Sequence, residues 1–428
     1  MSPKETFGEL SPWAEPAWYN ILDSPYYNST HRKLAAWARN YIDENVLPYA
    51  QEWEESGCVP KEETMKFVSA GFVLQSIPQK YRPGTSLPAG ISADDWDIFH
   101  HLILTDETAR VESGVLTALS GGGTKIGVPP IIAFGTEAQK QAWLPGIFTG
   151  ETQFCLGATE PSGGSDLANL RTTARKTPDG KFYIVKGTKK WITGALQATH
   201  MTTAVRTGGP GAGGVSVLVI PTDLPGFSAK KIYNSGANAA NSAWVYLEDV
   251  KVPVENIIGQ ENKGFLTLMT NFNKERFLMS VGSNRKARTC LTTALKYAQD
   301  RETFGAPLIS NQIIRDKFAT IARGVESNFA WLEQIAYHAS RRGWSGPELA
   351  SRMALSKVNG TRLLELACRE AQQVLGGAGY QRGGVGWQVE QISRDLRMYS
   401  VGGGSEEIIS DLAVRQELKV SKALGAKL

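Results

Sequence analysis

Four segments of the chain combine residue types that could do chemistry. Leu156-Gly-Ala-Thr-Glu-Pro-Ser-Gly-Gly-Ser-Asp166 sets hydroxyls among glycines. Such a loop can bring backbone N–H groups close to a flat polar ring or a phosphate, although a plain Ser/Gly turn has the same composition. Lys190-Trp191-Ile192-Thr193-Gly194 puts an aromatic beside a hydroxyl at a strand end, as a cofactor wall or as core. Asp300-Arg301-Glu302-Thr303-Phe304-Gly305, followed by Gln312, offers a guanidinium whose forked donors suit a pyrophosphate. A helix-terminal salt bridge is the plainer use. Gln373-Val-Leu-Gly-Gly-Ala-Gly-Tyr380 leads to Arg394-Asp395 and then to Gly402-Gly-Gly-Ser-Glu-Glu-Ile408. Consecutive glycines between helical stretches mark a close backbone approach or a linker.

A fifth feature is a single carboxylate. Phe265, Leu268, Met269, Phe272 and Met279 form an apolar stripe at helical spacing. Glu275 follows Leu268 by seven residues, so at ~100° per residue it points within about 20° of that stripe. An acid on a buried face is costly without a role or a partner.

The elements that must position these residues change character along the chain. Up to about residue 150 the pattern is helical, as in His31–Tyr49 and Asp95–Arg110, with a short helix expected to stop at Pro145-Gly146. From 151 to 262 short β-like runs alternate with Gly, Pro, Asn and Asp. From 263 to 428 long helical patterns return, among them Gln312–His338 and Pro347–Leu375. The expected order is an N-terminal helical domain (1–150), a middle β domain (151–262) and a C-terminal helical bundle (263–428). Gly209-Pro-Gly-Ala-Gly-Gly214 satisfies a dinucleotide-binding pattern but lies between β-like runs, so a hairpin loop is expected.

Composition narrows the functional classes. The chain has 428 residues, with 46 Lys+Arg against 42 Asp+Glu. This near balance gives no reason to invoke nucleic acid or an anionic membrane surface. No apolar run approaches the ~20 residues of a membrane span. The four cysteines (58, 155, 290 and 368) form no close pair, so buried free thiols are expected. The five histidines show no metal-ligand spacing, and no metal is expected. The N-terminus has neither an apolar stretch nor arginines of the kind that leaders carry. Ala426-Lys-Leu428 is similar to a peroxisomal address, so a peroxisomal location is expected and otherwise a cytoplasmic one.

Joint order and spacing carry more than any one segment. TEPSGGSD, WIT, RETFG with Gln312, QVLGGAGY and RDLRMYSVGGGSEE resemble, in sequence, the signature segments of the acyl-CoA dehydrogenase family. EDVKVPVENIIG and FGTEAQKQAWLPGIFTGE resemble two further family segments, and the likeness runs from about residue 30 to about 418.

The resemblance implies an α+β chain: N-terminal helices, a middle β-barrel-like domain and a C-terminal four-helix bundle, with FAD between the domains. It implies that Leu156, Ala158, Thr159, Gly164 and Ser165 face the flavin, with Trp191, Ile192 and Thr193 packed against it. It further implies that Arg301, Phe304, Gln312, Gln373, Gly376 and Gly377 reach the FAD of a neighbouring copy, hence a homodimer or homotetramer. Ser405 and Glu407 complete the implied cofactor set. Ser165, Asn273, Arg276, Gly403 and Gly404 would border an acyl-CoA substrate, and the Gly403 N–H would help hold its carbonyl.

The implied reaction is α,β-dehydrogenation. Many relatives carry the base where this chain has Gly403. Another branch, the isovaleryl- and long-chain-type enzymes, draws it from the earlier helix, and NKER there assigns it to Glu275. A salt-bridged Glu275 is the alternative. Ser235–Ser242 lacks an arginine that some relatives use to hold substrate, so the acyl group, or CoA itself, is expected to differ. The electron acceptor is an electron-transfer flavoprotein or dioxygen. An oxidase, a monooxygenase and an inactive flavin-binding relative stay open as alternatives.

Overall fold

The computed structural model describes residues 6–73, 75–82, 84–344 and 346–426. The last two residues of the expected peroxisomal address, Lys427 and Leu428, lie outside the described residues. Helices α1 (Ser29–Asn45), α2 (Leu47–Ser56), α3 (Lys61–Ser69), α4 (Ile98–Thr108) and α5 (Ser113–Leu119) come first. Three more follow: α6 (Thr124–Gly127), α7 (Pro129–Phe134) and α8 (Glu137–Thr149). Strands β1 (Phe154–Gly157), β2 (Thr173–Lys176), β3 (Phe182–Ile192) and β4 (His200–Arg206) are succeeded by β5 (Val215–Pro221), β6 (Phe227–Lys231) and β7 (Ala243–Pro253). The remainder is α9 (Gly264–Asp300), a two-strand ribbon of β8 (Glu302–Thr303) and β9 (Ala306–Pro307), then α10 (Gln312–Arg342) and α11 (Pro347–Leu375). Helices α12 (Trp387–Val401) and α13 (Glu406–Ala423) end it. The chain divides into two compact units, one made of 1–49, 91–112 and 273–428, the other of 50–90 and 113–272. The helices before residue 151 are thus shared between the two.

In the second unit β1 to β7 form one sheet in the order β1-β4-β2-β3-β7-β6, with β5 on β4. The β1–β4 pair is parallel and β3–β7 and β4–β5 are antiparallel. The alternating runs seen in the sequence supply its core: Tyr183, Val185, Val245, Leu247, Val250 and Val252 are buried together. The pattern Gly209–Gly214 joins β4 to β5, and Arg206 Nη1 donates to the carbonyls of Gly209 (2.6 Å) and Gly211 (3.2 Å). It is a loop between antiparallel strands. Helix α8 continues past the expected stop and holds Pro145 inside it. A proline removes one helix hydrogen bond, whereas capping at Thr136–Gln139 and a left-handed Gly150 secure the two ends.

In the first unit α9 to α12 share an apolar core that includes Ala287, Cys290, Leu291, Ala294, Leu364, Ala367 and Cys368. Small residues at these positions let the helix backbones approach closely. Cys155, Cys290 and Cys368 are buried free thiols, but Cys58 is exposed. Helix α9 also buries Arg276, Arg285, Lys286 and Arg288. Arg285 pairs with Asp106 and with Glu15 (2.9 Å), and Arg39 is bidentate to Glu107 at 2.6 and 2.8 Å. Arg288 meets Glu326 at 2.8 Å, and Lys286 donates to the Val111 carbonyl at 2.8 Å. Burial pushes the Glu15 carboxyl up, but Arg285 and Arg39 outweigh it and hold it down at about 2.

Removing one member of such a cluster leaves buried charge uncompensated, which costs about 3–5 kcal/mol. Arg285→Met is expected to lose stability on that scale in urea titrations followed by circular dichroism. The Glu15 share is fully present above its unfolded value of 4.5 and is lost as pH falls towards 2. Acid titration of Glu15→Gln should therefore show a shallower loss of stability over that window.

Candidate active site

Strand β1 feeds the TEP loop, and one buried ion pair fixes that loop. Glu160 accepts from Lys189 Nζ at 2.8 Å and from the backbone N–H groups of Arg171 (2.6 Å) and Thr172 (2.9 Å). Lys189 is fully buried and Glu160 nearly so. Burial raises the Glu160 carboxyl, but Lys189 more than offsets this and brings it to about 2. Burial lowers the Lys189 ammonium to about 8 against the pull of Glu160. The Lys190 N–H donates to the Thr159 carbonyl at 3.0 Å, tying the loop to β3. Leu156 and Thr159 are half-buried, Ala158 is buried, and Gly164 and Ser165 are exposed.

At the end of β3 the register with β7 shifts between Lys189 and Ile192. Trp191 takes a left-handed φ of 64° and is 52 % exposed, while Ile192 is buried. The ring is therefore turned out of the sheet, within two residues of the loop contact at Lys190. Thr193 follows, half-buried. A Cβ on Gly123 would meet the Thr193 carbonyl oxygen at 2.7 Å, and one on Gly194 would meet Gly123 N at 2.7 Å. The run Gly121–Gly123 thus backs this strand end, and the triple glycine is the signal that could have found it. In the same unit Ser235–Ser242 folds as a turn of buried small residues, Ala237, Ala239 and Ala240, onto Glu54, whose Oε1 accepts from the Asn238 N–H at 2.5 Å.

In the first unit α9 and the turn between α12 and α13 meet. Arg276 Nε donates to the Gly403 carbonyl at 3.0 Å, so this guanidinium is directed onto the turn. Gly403 has φ 64° and Gly404 φ 109°. A Cβ at Gly403 would meet Met279 Sδ at 2.8 Å. Met279 lies one helical turn after Glu275, on the same face. Glu275 is half-buried, and its Oε2 is out of solvent with no hydrogen-bond partner. Burial raises its carboxyl to about 7, against a lowering pull from Arg276. Asn273, on the same helix, is half-buried.

The remaining expected residues lie on the surface of the first unit. Arg301, Phe304, Gln312, Gln373, Gly376, Gly377 and Glu407 are exposed, and Ser405 is half-buried at the start of α13. Phe304 is wholly exposed and has a left-handed φ of 51°. Arg301 lines a cavity of about 660 Å³ together with Arg39, Arg110 and Lys296.

A cluster that sequence spacing did not reveal is His31, Asp97 and His100. His31 Nδ1 accepts from the Asn28 N–H at 3.0 Å, and His100 Nδ1 faces the Asp97 N–H at 3.1 Å. Each closes a capping box at the start of α1 or α4. The Asp97 carboxylate is 3.1 Å from His31 Nε2 and 2.8 Å from His100 Nδ1. Burial raises its carboxyl, but the two imidazoles outweigh this and hold it well below the usual range. Nδ1 of each imidazole thus serves a helix start.

The Glu160–Lys189 pair yields a direct test. Lys189→Met leaves the Glu160 carboxylate buried without its cation, for a loss of about 3–5 kcal/mol. Lys189→Met/Glu160→Gln should recover part of it, read by thermal melts and by amide exchange of the loop 158–172.

Three family descriptions match the chain: Acyl-CoA dehydrogenase, N-terminal domain over residues 28–151, middle domain over 155–250 and C-terminal domain over 262–418. Acyl-CoA dehydrogenase AFT10-1 of Alternaria alternata is 42% identical over 422 residues, covering 96% of this chain and 97% of that protein. Acyl-CoA dehydrogenase apdG of Emericella nidulans is 39% identical, at 97% coverage of each. The crystal structure of an acyl-CoA dehydrogenase from Geobacillus kaustophilus superposes with a TM-score of 0.83 at 27% identity, covering 92% of this chain and 99% of that one. A glutaryl-CoA dehydrogenase from Mycobacterium smegmatis in complex with FADH2 gives 0.80 at 25% identity, covering 92% and 96%. The chain therefore belongs to the acyl-CoA dehydrogenase family, FAD-dependent flavoenzymes that oxidise acyl-CoA thioesters.

Proposed function

We propose that this enzyme α,β-dehydrogenates an acyl-CoA thioester with Glu275 as the base. The Cα–H bond breaks and its proton passes to the Glu275 carboxylate. The Cβ–H bond breaks with its electron pair, and a Cα=Cβ double bond forms. Bound FAD supplies the acceptor for that hydride. The single observation that carries the assignment is the Glu275 carboxylate oxygen, out of solvent and without a hydrogen-bond partner. A carboxylate raised to about 7 is matched to proton abstraction near neutral pH. Arg276 Nε is given to the Gly403 carbonyl.

The residues fit the cofactor. An exposed tryptophan ring turned out of a sheet, next to a loop anchored through Thr159, offers a flat face beside hydrogen-bonding groups. Leu156, Ala158, Thr159, Gly164, Ser165, Ile192 and Thr193 would hold the ring with it. Arg301, Phe304, Gln312 and Gly376, exposed in one chain, are available to the cofactor of a second copy, which supports a homo-oligomer. On the substrate side, Ser165, Asn273 and Arg276 would border the CoA end. The small-residue turn at Ser235–Ser242 supports an acyl group, or a carrier, other than that of relatives with an arginine there.

Anaerobic mixing with a panel of acyl-CoAs, read as flavin bleaching, tests the reading and ranks the substrates. Glu275→Gln is expected to slow bleaching by ~10²–10⁴-fold with FAD still bound. An unchanged rate would remove Glu275 from the chemistry. The base must be ionised, so the wild-type rate should rise as pH passes through about 7. Stability has the opposite sign. The unfolded carboxyl ionises at 4.5, the folded one only near 7, so its contribution to stability falls over that interval. Glu275→Gln should therefore melt higher than wild type at pH 8, checked by calorimetry.

A further inference from the structure

Helix α11 carries a fully buried lysine, Lys357. Lys357 Nζ donates to the Ser400 carbonyl at 2.7 Å and to the Gly404 carbonyl at 3.0 Å. Arg276 takes the carbonyl between them, that of Gly403. Two cations from two different helices thus hold three carbonyls of one turn. A buried ammonium with two acceptors is costly to place, and a glycine linker needs no such anchor.

Each held carbonyl fixes the peptide unit it shares with the next N–H: Arg276 fixes the unit that carries the Gly404 N–H, and Lys357 fixes the units on either side of the turn. Gly403 and Gly404 both have left-handed φ, and neither N–H finds an acceptor among the described residues. Successive N–H groups in such a turn form a concavity for negative charge. The side of the turn held by cations cannot rotate to expose carbonyls instead. A Cβ at Gly404 would meet Ile409 Cγ2 at 2.6 Å, so the geometry is also closed to any other residue.

We propose that Lys357 is a positioning residue for the reaction. By pinning the turn at both ends, through the carbonyls of Ser400 and Gly404, it keeps the N–H face of Gly403 and Gly404 turned to the thioester oxygen, where enolate-like charge develops as the α-proton leaves. This rests on the acyl-thioester reading above. Lys357 itself touches neither substrate nor base.

The charged groups that face Lys357 are Arg276 from α9 and Glu406 and Glu407 from the first turn of α13. Glu406 is also engaged by Arg362 at 2.8 Å. Burial lowers the ammonium to about 8, with the two glutamates opposing and Arg276 adding to the drop. The clamp is therefore charged below about 8 and weakens as pH rises through that value. An arginine there stays charged throughout.

The test uses trans-2-enoyl-CoAs labelled with ¹³C at the thioester carbonyl, bound to the FAD-loaded enzyme. The carbonyl stretch reports how strongly the donors polarise the bond. Wild type should lower the stretch, Lys357→Met should lose most of that shift, and Lys357→Arg should keep part of it. Flavin reduction in Lys357→Met should fall roughly 10–100-fold in rate, with little change in substrate KM and in FAD content, as for an oxyanion donor knocked out of line. If Lys357→Met does not fold, a pH titration of the wild-type stretch decides. The shift should shrink above about 8 and not do so in Lys357→Arg. A full shift in Lys357→Met, or a wild-type shift constant to high pH, overturns the proposal and leaves the Glu275 assignment standing. Failure of every enoyl-CoA to bind wild type overturns the acyl-thioester reading and this proposal with it.

Discussion

Four cations spread around a single helix are buried, and the helical unit is arranged around that constraint. Arg276, Arg285, Lys286 and Arg288 of α9 are all buried. An unpaired buried charge costs several kcal/mol, so each must find an acceptor. Asp106 and Glu15 answer Arg285, Glu326 answers Arg288, and Val111 gives a carbonyl to Lys286. The N-terminal segment adds the carbonyls of Trp13 and Ala14 to Arg288 and Arg285. Segments far apart in sequence are thereby oriented by acceptor geometry as well as by apolar packing. The first of these cations, Arg276, extends the same logic to the glycine turn, which ties the scaffold to the candidate chemistry.

The turn and the helix together account for where a base can sit. A side chain at position 403 would collide with Met279 and would have to adopt a left-handed backbone. The carboxylate is instead carried one helical turn before Met279, at Glu275. Arg276 Nε goes to the Gly403 carbonyl, and Oε2 of Glu275 has no hydrogen-bond partner. A carboxyl with an oxygen shut off from water keeps its proton to higher pH, which destabilises the fold slightly and equips the group for proton transfer.

The sheet unit uses the reverse arrangement. Glu160 and Lys189 are both buried, joined directly and backed by two backbone N–H groups. The result is a rigid loop rather than a reactive acid. Trp191 gains its exposed position from the same strand, because the register shift after Lys189 rotates the chain by one face. The ion pair at Lys189 and the exposed ring at Trp191 thus sit two residues apart on β3, on either side of the start of that irregularity.

Much of this was legible in the residues themselves. Period-2 and period-3.6 patterns located the long strands and helices, because each follows from one buried face. The four-residue strands β1 and β2 and the continuation of α8 through Pro145 were not, since short ladders and capped ends leave little periodic signal. The motif order identified the family, and the helical phase of Glu275 against Leu268 placed a carboxylate on a buried face. What only the tertiary structure decided is pairing. That Lys189 serves Glu160, that Lys357 holds the turn at Gly404, and that His31 and His100 share Asp97 cannot be read from spacing. Charge pairing depends on distances of about 3 Å between groups tens to hundreds of residues apart, and local sequence periodicity carries no record of them.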